Sequence, residues 1–565
     1  MNRWFKFILV GAYLAAGSAG MQAGDSVSAG AGFANGPRYY YPVPPANPPQ
    51  TIATDVCVYG DTPAGVTAAI QAGRMGKTAS LVIFDTHVGG MTASGLSRTD
   101  GGGTAGGIAA EFYAVVGHSK FLPGDAEKQF RAMLGRAGVK IYSEQRLASV
   151  SKEGTAIREI VMEDGNHFKA KVFVDATYEG DLMAMAKVSY TVGREGNALY
   201  NETLNGIQMP GNHNFSLPVD PYVVPGDPKS GVLPEINNTG PLESRGTGDK
   251  RVEAYNFRMY LAKMPDAVPF PRPKDYDPKR YEVLRRYITA GTPPVTFHRF
   301  MQLKEGDSNN EGGFSTDHIG ASDRWPEASY AEREKIFQDH VSYQEGFLYF
   351  LANDPGVPEY IRTAVSGYGL AKGVFDATGG WPHQLYVREA RRMVSDYVMT
   401  EHNCKSETVA EDSVGLADYG MDSHNVQRFI SRSPNGDVVR NEGNVQAAIP
   451  HPYPIAYRAL VPKPAECTNL LVPVCLSASH IGYGSIRMEP VFMVLGQSAG
   501  TAACIAIDQK TTVQGVPYNL LQARLLADHQ NLAWNGKVKS SRKSKSGGGP
   551  DTSGETSPTT APSGH

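Results

Sequence analysis

The stretch "DVCVYGDTPAGVTAAIQAGRMGKTASLVIFD", Asp55 to Asp85, constrains the fold of this chain more than any other. Val56 to Tyr59 is an apolar run rich in strand formers, Gly60 permits a sharp turn, and Ala64 to Gly76 has the small apolar spacing of a helix lying on a sheet. Leu81 to Phe84 reads as a second strand, and Asp85 stands at its carboxyl end, where an acid would accept hydrogen bonds from a ribose. Strand, turn, helix and strand in this order predict a βαβ unit and therefore an α/β chain with a parallel sheet. Thr62 occupies the middle glycine position of a G-x-G-x-x-G turn, so the turn alone leaves nucleotide binding and a plain structural bend both open.

The next stretch, "THVGGMTASGLSRTDGGGTAGGI" from Thr86 to Ile108, favours the nucleotide. Glycine at that density directly after the ribose acid fits backbone pressed against a pyrophosphate or a ribityl chain, where a Cβ would collide. From Gly138 to Asp181 apolar and polar residues alternate around turns at Gly154 and Asp164-Gly165, and the run Val172 to Val174 stops at Asp175-Ala176-Thr177. This predicts a small antiparallel ribbon feeding a strand back into the nucleotide sheet.

A chain of 565 residues exceeds a single core and accommodates roughly three to four domain-sized units, or two interleaved ones. With 54 Lys+Arg against 57 Asp+Glu and no basic stripe interleaved with aromatics, nucleic acid is not the expected partner. Five cysteines give no disulfide framework, and Cys404 with Cys467 is the one loop pair open to oxidation. Met1 to Ala23 has the outline of a secretory signal: Arg3 and Lys6, then a short apolar run, then small residues. Its apolar run falls short of the roughly 18 residues of a spanning helix, and no other segment is expected to cross a bilayer. Secretion or a periplasmic location follows as an expectation. Residues 24–52 read as a glycine- and proline-rich leader, and 536–565 as a polar, disordered tail. No His-x-x-x-His or Cys-x-x-Cys spacing occurs, so no metal site is expected, and no serine nucleophile elbow is recognisable.

Beyond the first unit, the segments "YGDTPAG", "GGMTASG", "DATYEGDLMAMAKVSYTVGRE", "PVDPYVVPGDPKSG", "AYNFRMYL", "GGFSTDHIG", "GGWPHQLYVREARRM" and "LLVPVCLSASHIGYGSIRMEPVFMVLGQSAGTAACIA" follow one another in order. Through them the chain, from Asp55 to about Asp508, resembles the bacterial FAD-dependent oxidoreductases of the glutathione-reductase-like superfamily, in the branch sometimes labelled xanthan lyase. The resemblance implies a Rossmann-like FAD-binding domain in two parts, 53–203 and 451–535, with an inserted mixed α+β substrate region at 204–450. It implies FAD as cofactor, with Gly60, Thr62, Pro63, Ala64 and Gly65 at the pyrophosphate turn and Asp85 at the adenosine ribose. Gly89, Gly90 and Met91 would line the inner face of the cofactor, Leu147 would offer backbone contacts near the adenine, and Ala176 and Thr177 would close the same turn. Arg487 and a helix beginning near Gly496 and Ser498 would return to the flavin, a helix amino terminus favouring the negative charge that a reduced flavin gathers at its pyrimidine end. Two departures stand out: Asp61, where many members carry glycine, and Arg98, where a neutral residue is usual. Asp61 would repel a pyrophosphate unless it points away, and Arg98 is assigned to the substrate.

Oxidation of a carbinol needs a group to take the hydroxyl proton, and histidine titrates nearest neutral pH. His480, between an apolar strand and the flavin-side helix, is the candidate base, with Tyr483 and Arg487 orienting the substrate or stabilising an alkoxide. His383 and His424, in loops of the substrate region, are the alternatives. In that region two helices are expected. One runs through "SYAEREKIFQDHVSYQEGFLYFLAND", with His340 a satisfied core residue, and the other through "QLYVREARRMVSDYV". Two reactions fit: oxidation of a hydroxyl-bearing substrate such as a sugar or sugar acid, or elimination across a carbon–oxygen bond with FAD structural or used for transient oxidation. The electron acceptor is not specified by any motif.

Overall fold

The computed structural model describes residues 36–208, 211–291, 303–432, 434 and 436–536; the signal read at 1–23 and the tail at 537–565 lie outside the described residues. Strand β1 (Thr51–Tyr59) leads through the turn into helix α1 (Pro63–Arg74), and then into strand β2 (Ala79–Val82). Thr62 caps α1, its hydroxyl accepting from the Gly65 N–H at 3.3 Å and donating to the Ala176 carbonyl at 2.7 Å. The middle glycine position is thus filled by a side chain that ties the turn to the neighbouring strand. Strands β3 (Lys140–Tyr142), β4 (Leu147–Glu153), β5 (Ala156–Met162) and β6 (His167–Asp175) complete a sheet of order β3-β2-β1-β6-β5-β4. The pairs β3·β2, β2·β1 and β1·β6 are parallel, and β4·β5·β6 is the antiparallel ribbon read from the alternation.

The last part of the chain returns to this sheet. Strand β7 (Leu470–Leu471) pairs in parallel with the carboxyl half of β6, through Phe173 and Val174. A long helix from Glu489 to Gln509 then lies on α1. It is the one described helix long and apolar enough to cross a membrane, a length and composition the sequence reading assigned to no segment after the signal, and it is almost wholly buried in the core.

Between these parts, helix α2 (Tyr330–Asn353) forms as its spacing predicts, opened by a Ser329/Glu332 capping box. His340 inside it is satisfied, Nδ1 against the Ile336 carbonyl at 2.8 Å and Nε2 against Ser322 Oγ at 3.3 Å. The second expected helix is absent: Gln384–Val398 runs extended, with only Arg392–Met393 paired as strand. Its arginines decide this, because Arg388, Arg391 and Arg392 reach Asp317, Asp181 and Glu195 on three different parts of the chain, which one helical face cannot serve. The core continues from the nucleotide sheet through residues of the 204–450 region, so no gap in packing separates an inserted unit. The leader reading also starts the fold too late: residues 37–41 pack against Phe84 and α2, and the Ala46 N–H donates to the Asp164 carbonyl. The five cysteines are all buried and free, Cys404 and Cys467 included.

Candidate functional site

Two polar regions lie where the chain's parts meet. The first is a cleft at the carboxyl end of β1 and β2, lined by Gly60, Asp61, Asp85 and Thr177. Gly60 has φ +121°, and a Cβ there would fall well under 3.0 Å from the Ala176 backbone, so the turn and the end of β6 close on each other only through glycine. Pro63, Ala64 and Gly65 form the first turn of α1; Pro63 has no N–H and the Gly65 N–H is taken by Thr62, which leaves the Ala64 N–H with no acceptor within the helix. Asp85 accepts from the His87 N–H through Oδ1 at 2.8 Å, leaving its second oxygen to the cleft. Asp61 does not point away. It lines the same cleft, and burial together with the neighbouring Asp85 carboxylate pushes its pKa well up, which favours the neutral form and eases the repulsion that its presence implied.

Gly89 and Gly90 both have positive φ and lead into Met91, whose N–H donates to the Tyr178 hydroxyl at 3.0 Å. That hydroxyl donates in turn to Glu489 at 2.8 Å. Glu489 opens the long core helix, and burial pushes its carboxyl up to about 8. A neutral acid at this end leaves the positive end of the helix dipole uncancelled. The helix therefore begins seven residues earlier than expected, and Gly496 and Ser498 lie inside it. A Cβ on Gly496 would collide with the Ala64 carbonyl and Thr67 of α1, and Ser498 Oγ donates to the Val414 carbonyl at 2.7 Å. Both are engaged in packing within the protein. Leu147 is likewise engaged: its N–H meets the Tyr59 hydroxyl and its carbonyl the Tyr330 hydroxyl, each at 3.1 Å. Ala176 and Thr177 brace the turn as described, and His383 stands at this cleft, stacked on His87 at 3.6 Å and pushed down to about 3 by burial.

These residues fit a dinucleotide: a glycine turn on a helix amino terminus, an acid with a spare oxygen, and the buried guanidinium of Arg146, near enough to Asp85 to act on its charge and without a hydrogen-bond partner for any of its three nitrogens.

The second region is a buried polar cluster beside a small cavity bounded by Thr92, Arg98, Tyr386 and Glu489. His424 is its centre. Its Nδ1 meets Asp317 Oδ2 at 2.7 Å, its Nε2 lies 3.9 Å from Asp422, and its own N–H donates to Glu253. Burial, reinforced by the Arg388 guanidinium, lowers its pKa to about 4, so the imidazole is neutral with Nδ1–H donated to Asp317. Arg388 pairs with Asp317 at 3.0 Å and lies 4.4 Å over the Tyr386 ring. Arg487 reaches the Tyr386 hydroxyl at 3.4 Å, Glu253 at 3.1 Å and Asp422 at 3.6 Å. Arg98 stays half exposed on the cavity rim, 3.9 Å from Asp307.

Neither His424 nor His480 lines that cavity directly, and His480 is tied to a different acid. Helix α3 (His480–Ile486) starts on this second histidine, and its Nδ1 is held by both oxygens of Glu389, the shorter contact 2.8 Å. Burial pulls its pKa down, but the Glu389 charge outweighs this and holds it above the usual value, and the Nδ1 contact makes the ring a donor to Glu389. Tyr483 is buried one turn further along α3 and lines neither cavity. Glu253, Glu389 and His480 come close enough to share a metal ion, a grouping invisible in sequence spacing. Arg487 and Arg392 already pair with its two carboxylates, which makes it an ion-pair network. Sequence reasoning assigned Asp317, Arg388 and Tyr386 no place at the cluster; "GGFSTDHIG" and "YVREARRM" hold all three, the last two read as parts of a helix.

Among curated proteins, none matches this chain. Solved structures that it resembles include a geranylgeranyl bacteriochlorophyll reductase-like protein from Thermoplasma acidophilum, at 17% identity over 25% of this chain and 43% of that one, TM-score 0.20. L-Proline dehydrogenase from P. horikoshii shares 20% identity over 26% of this chain and 25% of its own, TM-score 0.18. A flavin-containing monooxygenase from Stenotrophomonas maltophilia shares 18% over 26% and 43%, TM-score 0.20. This chain spans less than half the length of each. The family described as FAD dependent oxidoreductase matches residues 55–525, which takes in both halves of the nucleotide sheet and the polar cluster between them. The chain belongs to that family, and FAD is its cofactor.

Proposed function

We propose that this enzyme oxidises a hydroxyl-bearing substrate, a sugar or sugar acid, with His424 as the proton acceptor. The observation that carries this reading is the neutral His424 imidazole, oriented through Nδ1 by Asp317 and lying among the cations Arg388 and Arg487. Bound FAD supplies the hydride acceptor, its N5. His424 Nε2 takes the hydroxyl proton, and Asp317 keeps the ring in the tautomer that leaves Nε2 open. Arg487 and the Tyr386 hydroxyl hold the oxygen on which negative charge develops, and two nearby guanidinium groups favour an acid over a neutral sugar. The buried setting of the cluster excludes water from the proton path.

Export is proposed with it, on the amino-terminal signal pattern, and is tested by finding the processed chain outside the cytoplasm. The reaction is tested by mixing the protein anaerobically with a panel of sugars and sugar acids. Bleaching of the flavin with formation of a ketone or lactone supports oxidation. An unsaturated product with an unchanged flavin spectrum overturns it in favour of elimination.

A further inference from the structure

The amino-terminal stretch Pro37–Tyr41 is fastened across the cofactor cleft from both sides. Glu334 Oε2 on α2 accepts from the Tyr39 and Tyr40 N–H groups at 2.7 and 2.8 Å, and Gln338 donates to the Pro37 carbonyl at 2.9 Å. On the sheet side the Tyr39 ring stacks on Phe84, next to Asp85, at 4.8 Å, and the Tyr41 hydroxyl donates to Glu144 at 2.6 Å. Between the two lies Arg146, its guanidinium 4.3 Å from the Tyr41 ring and without a hydrogen-bond acceptor.

The charges around the cleft are uneven. Asp61, Asp85, Glu179 and Asp181 line it; burial pushes the carboxyls of the first three up, and Asp181 is matched by Arg333 and Arg391. Among the described lining residues the one arginine or lysine is Arg38, on this stretch. FAD brings a diphosphate with two negative charges to the turn at Gly60, so the cleft as built needs a cation there and draws it from a segment outside the sheet.

We propose that Pro37–Tyr41 is a latch over the cofactor, with Arg38 as the counter-charge of the FAD diphosphate and the Tyr39–Phe84 stack closing the adenosine side. The latch makes the cofactor's escape depend on releasing a strap that ties the sheet to α2, which slows dissociation more than it changes the surface of the free protein. The inference rests on the family's cofactor and not on the substrate proposed above, and its test uses no substrate.

The full chain is compared with Arg38→Gln and Glu334→Ala. FAD affinity is measured by fluorescence titration of the apoprotein, and release by the flavin fluorescence that appears on dilution, with circular dichroism as the check on folding. Arg38→Gln is expected to weaken FAD binding about 10-fold at low ionic strength, with the gap narrowing as salt is added. Glu334→Ala is expected to speed FAD release by at least about 10-fold. Unchanged affinity and release in both variants overturn the latch. So does tighter binding or faster uptake of FAD, which would make the strap a plug standing in the cofactor's place. Should Glu334→Ala fail to fold, the exposed Arg38 still decides the outcome.

Discussion

The glycine-turn cleft and the polar cluster are built by opposite means. The cleft is made of backbone: a glycine turn, a helix end and a strand end, contributed by Asp55–Asp85 and closed by Ala176. The cluster is made of polar and charged side chains from residues far apart in the chain, Glu253, Asp317, Arg388, His424 and Arg487, each buried and each paired with another. A site of the first kind tolerates changes in its side chains and fails when its backbone cannot close. One of the second kind fails with any single member, because the partner left behind is a buried charge.

His424→Ala tests the cluster most severely. Flavin spectrum and FAD affinity should stay as they are, while anaerobic reduction by substrate slows by about 10²–10⁴-fold. In the unchanged protein the reduction rate should rise with pH through about 4, since protonation of Nε2 below that value blocks the acceptor. Reduction at the unaltered rate in the variant would take the base away from the cluster.

His480→Ala separates structure from chemistry within the same neighbourhood. It leaves Glu389 buried without its histidine and should cost about 3–5 kcal/mol in denaturant unfolding, with the folded fraction still reducing its flavin. The stability the pair confers should fall as pH rises through the raised His480 value, and also as pH falls through the lowered Glu389 value, so it is greatest between them. A stable variant that binds FAD and does not turn over would restore His480 as the base.

Gly496→Ala puts the comparison to the helix that backs the cleft. A methyl at that position has no room against α1, and the variant should lose about 3 kcal/mol of stability, read as a lower Tm with an unaltered flavin spectrum in the folded protein. A spectral shift at unchanged Tm would return Gly496 to the flavin. Asp85→Ala is the mildest: FAD binding should weaken by about 2 kcal/mol through loss of a charge-assisted acceptor, with folding intact.

What could be read from the sequence follows the same division. The cleft was legible because its determinants are consecutive: Gly60, Thr62, Gly65 and Asp85 fall within one βαβ unit whose period and turn residues are local properties. Thr62 was read as a defect and is a cap, since its hydroxyl finds the Ala176 carbonyl more than a hundred residues away. The long helix was anticipated but placed late, because "GQSAG" resembles a helix start while Met488-Glu489-Pro490, with proline in the first turn, is the actual one. The cluster was only partly legible. His424 and Arg487 were named among other candidates, but nothing near His424 in sequence announces Asp317, and nothing near His480 announces Glu389. The arginines at 388, 391 and 392 were spaced like one face of a helix, and only their distant partners pull that stretch straight.

The packing of α1 on the carboxyl-terminal helix sets the order in which this protein can be made. Thr67 donates to the Met493 carbonyl across 426 residues of chain, and Gly496 and Gly500 of the later helix sit directly on Ala64 and Ala68 of α1. During synthesis the first βαβ unit therefore emerges with its helix lacking the surface it will be buried against, and it waits for most of the chain to be translated. The Rossmann-like half is encoded first and completed nearly last. A ribosome that stalls, or a protease that cuts, anywhere before Glu489 releases a chain whose nucleotide-binding helix presents bare apolar surface, which makes truncation a route to aggregation instead of to a smaller flavoprotein.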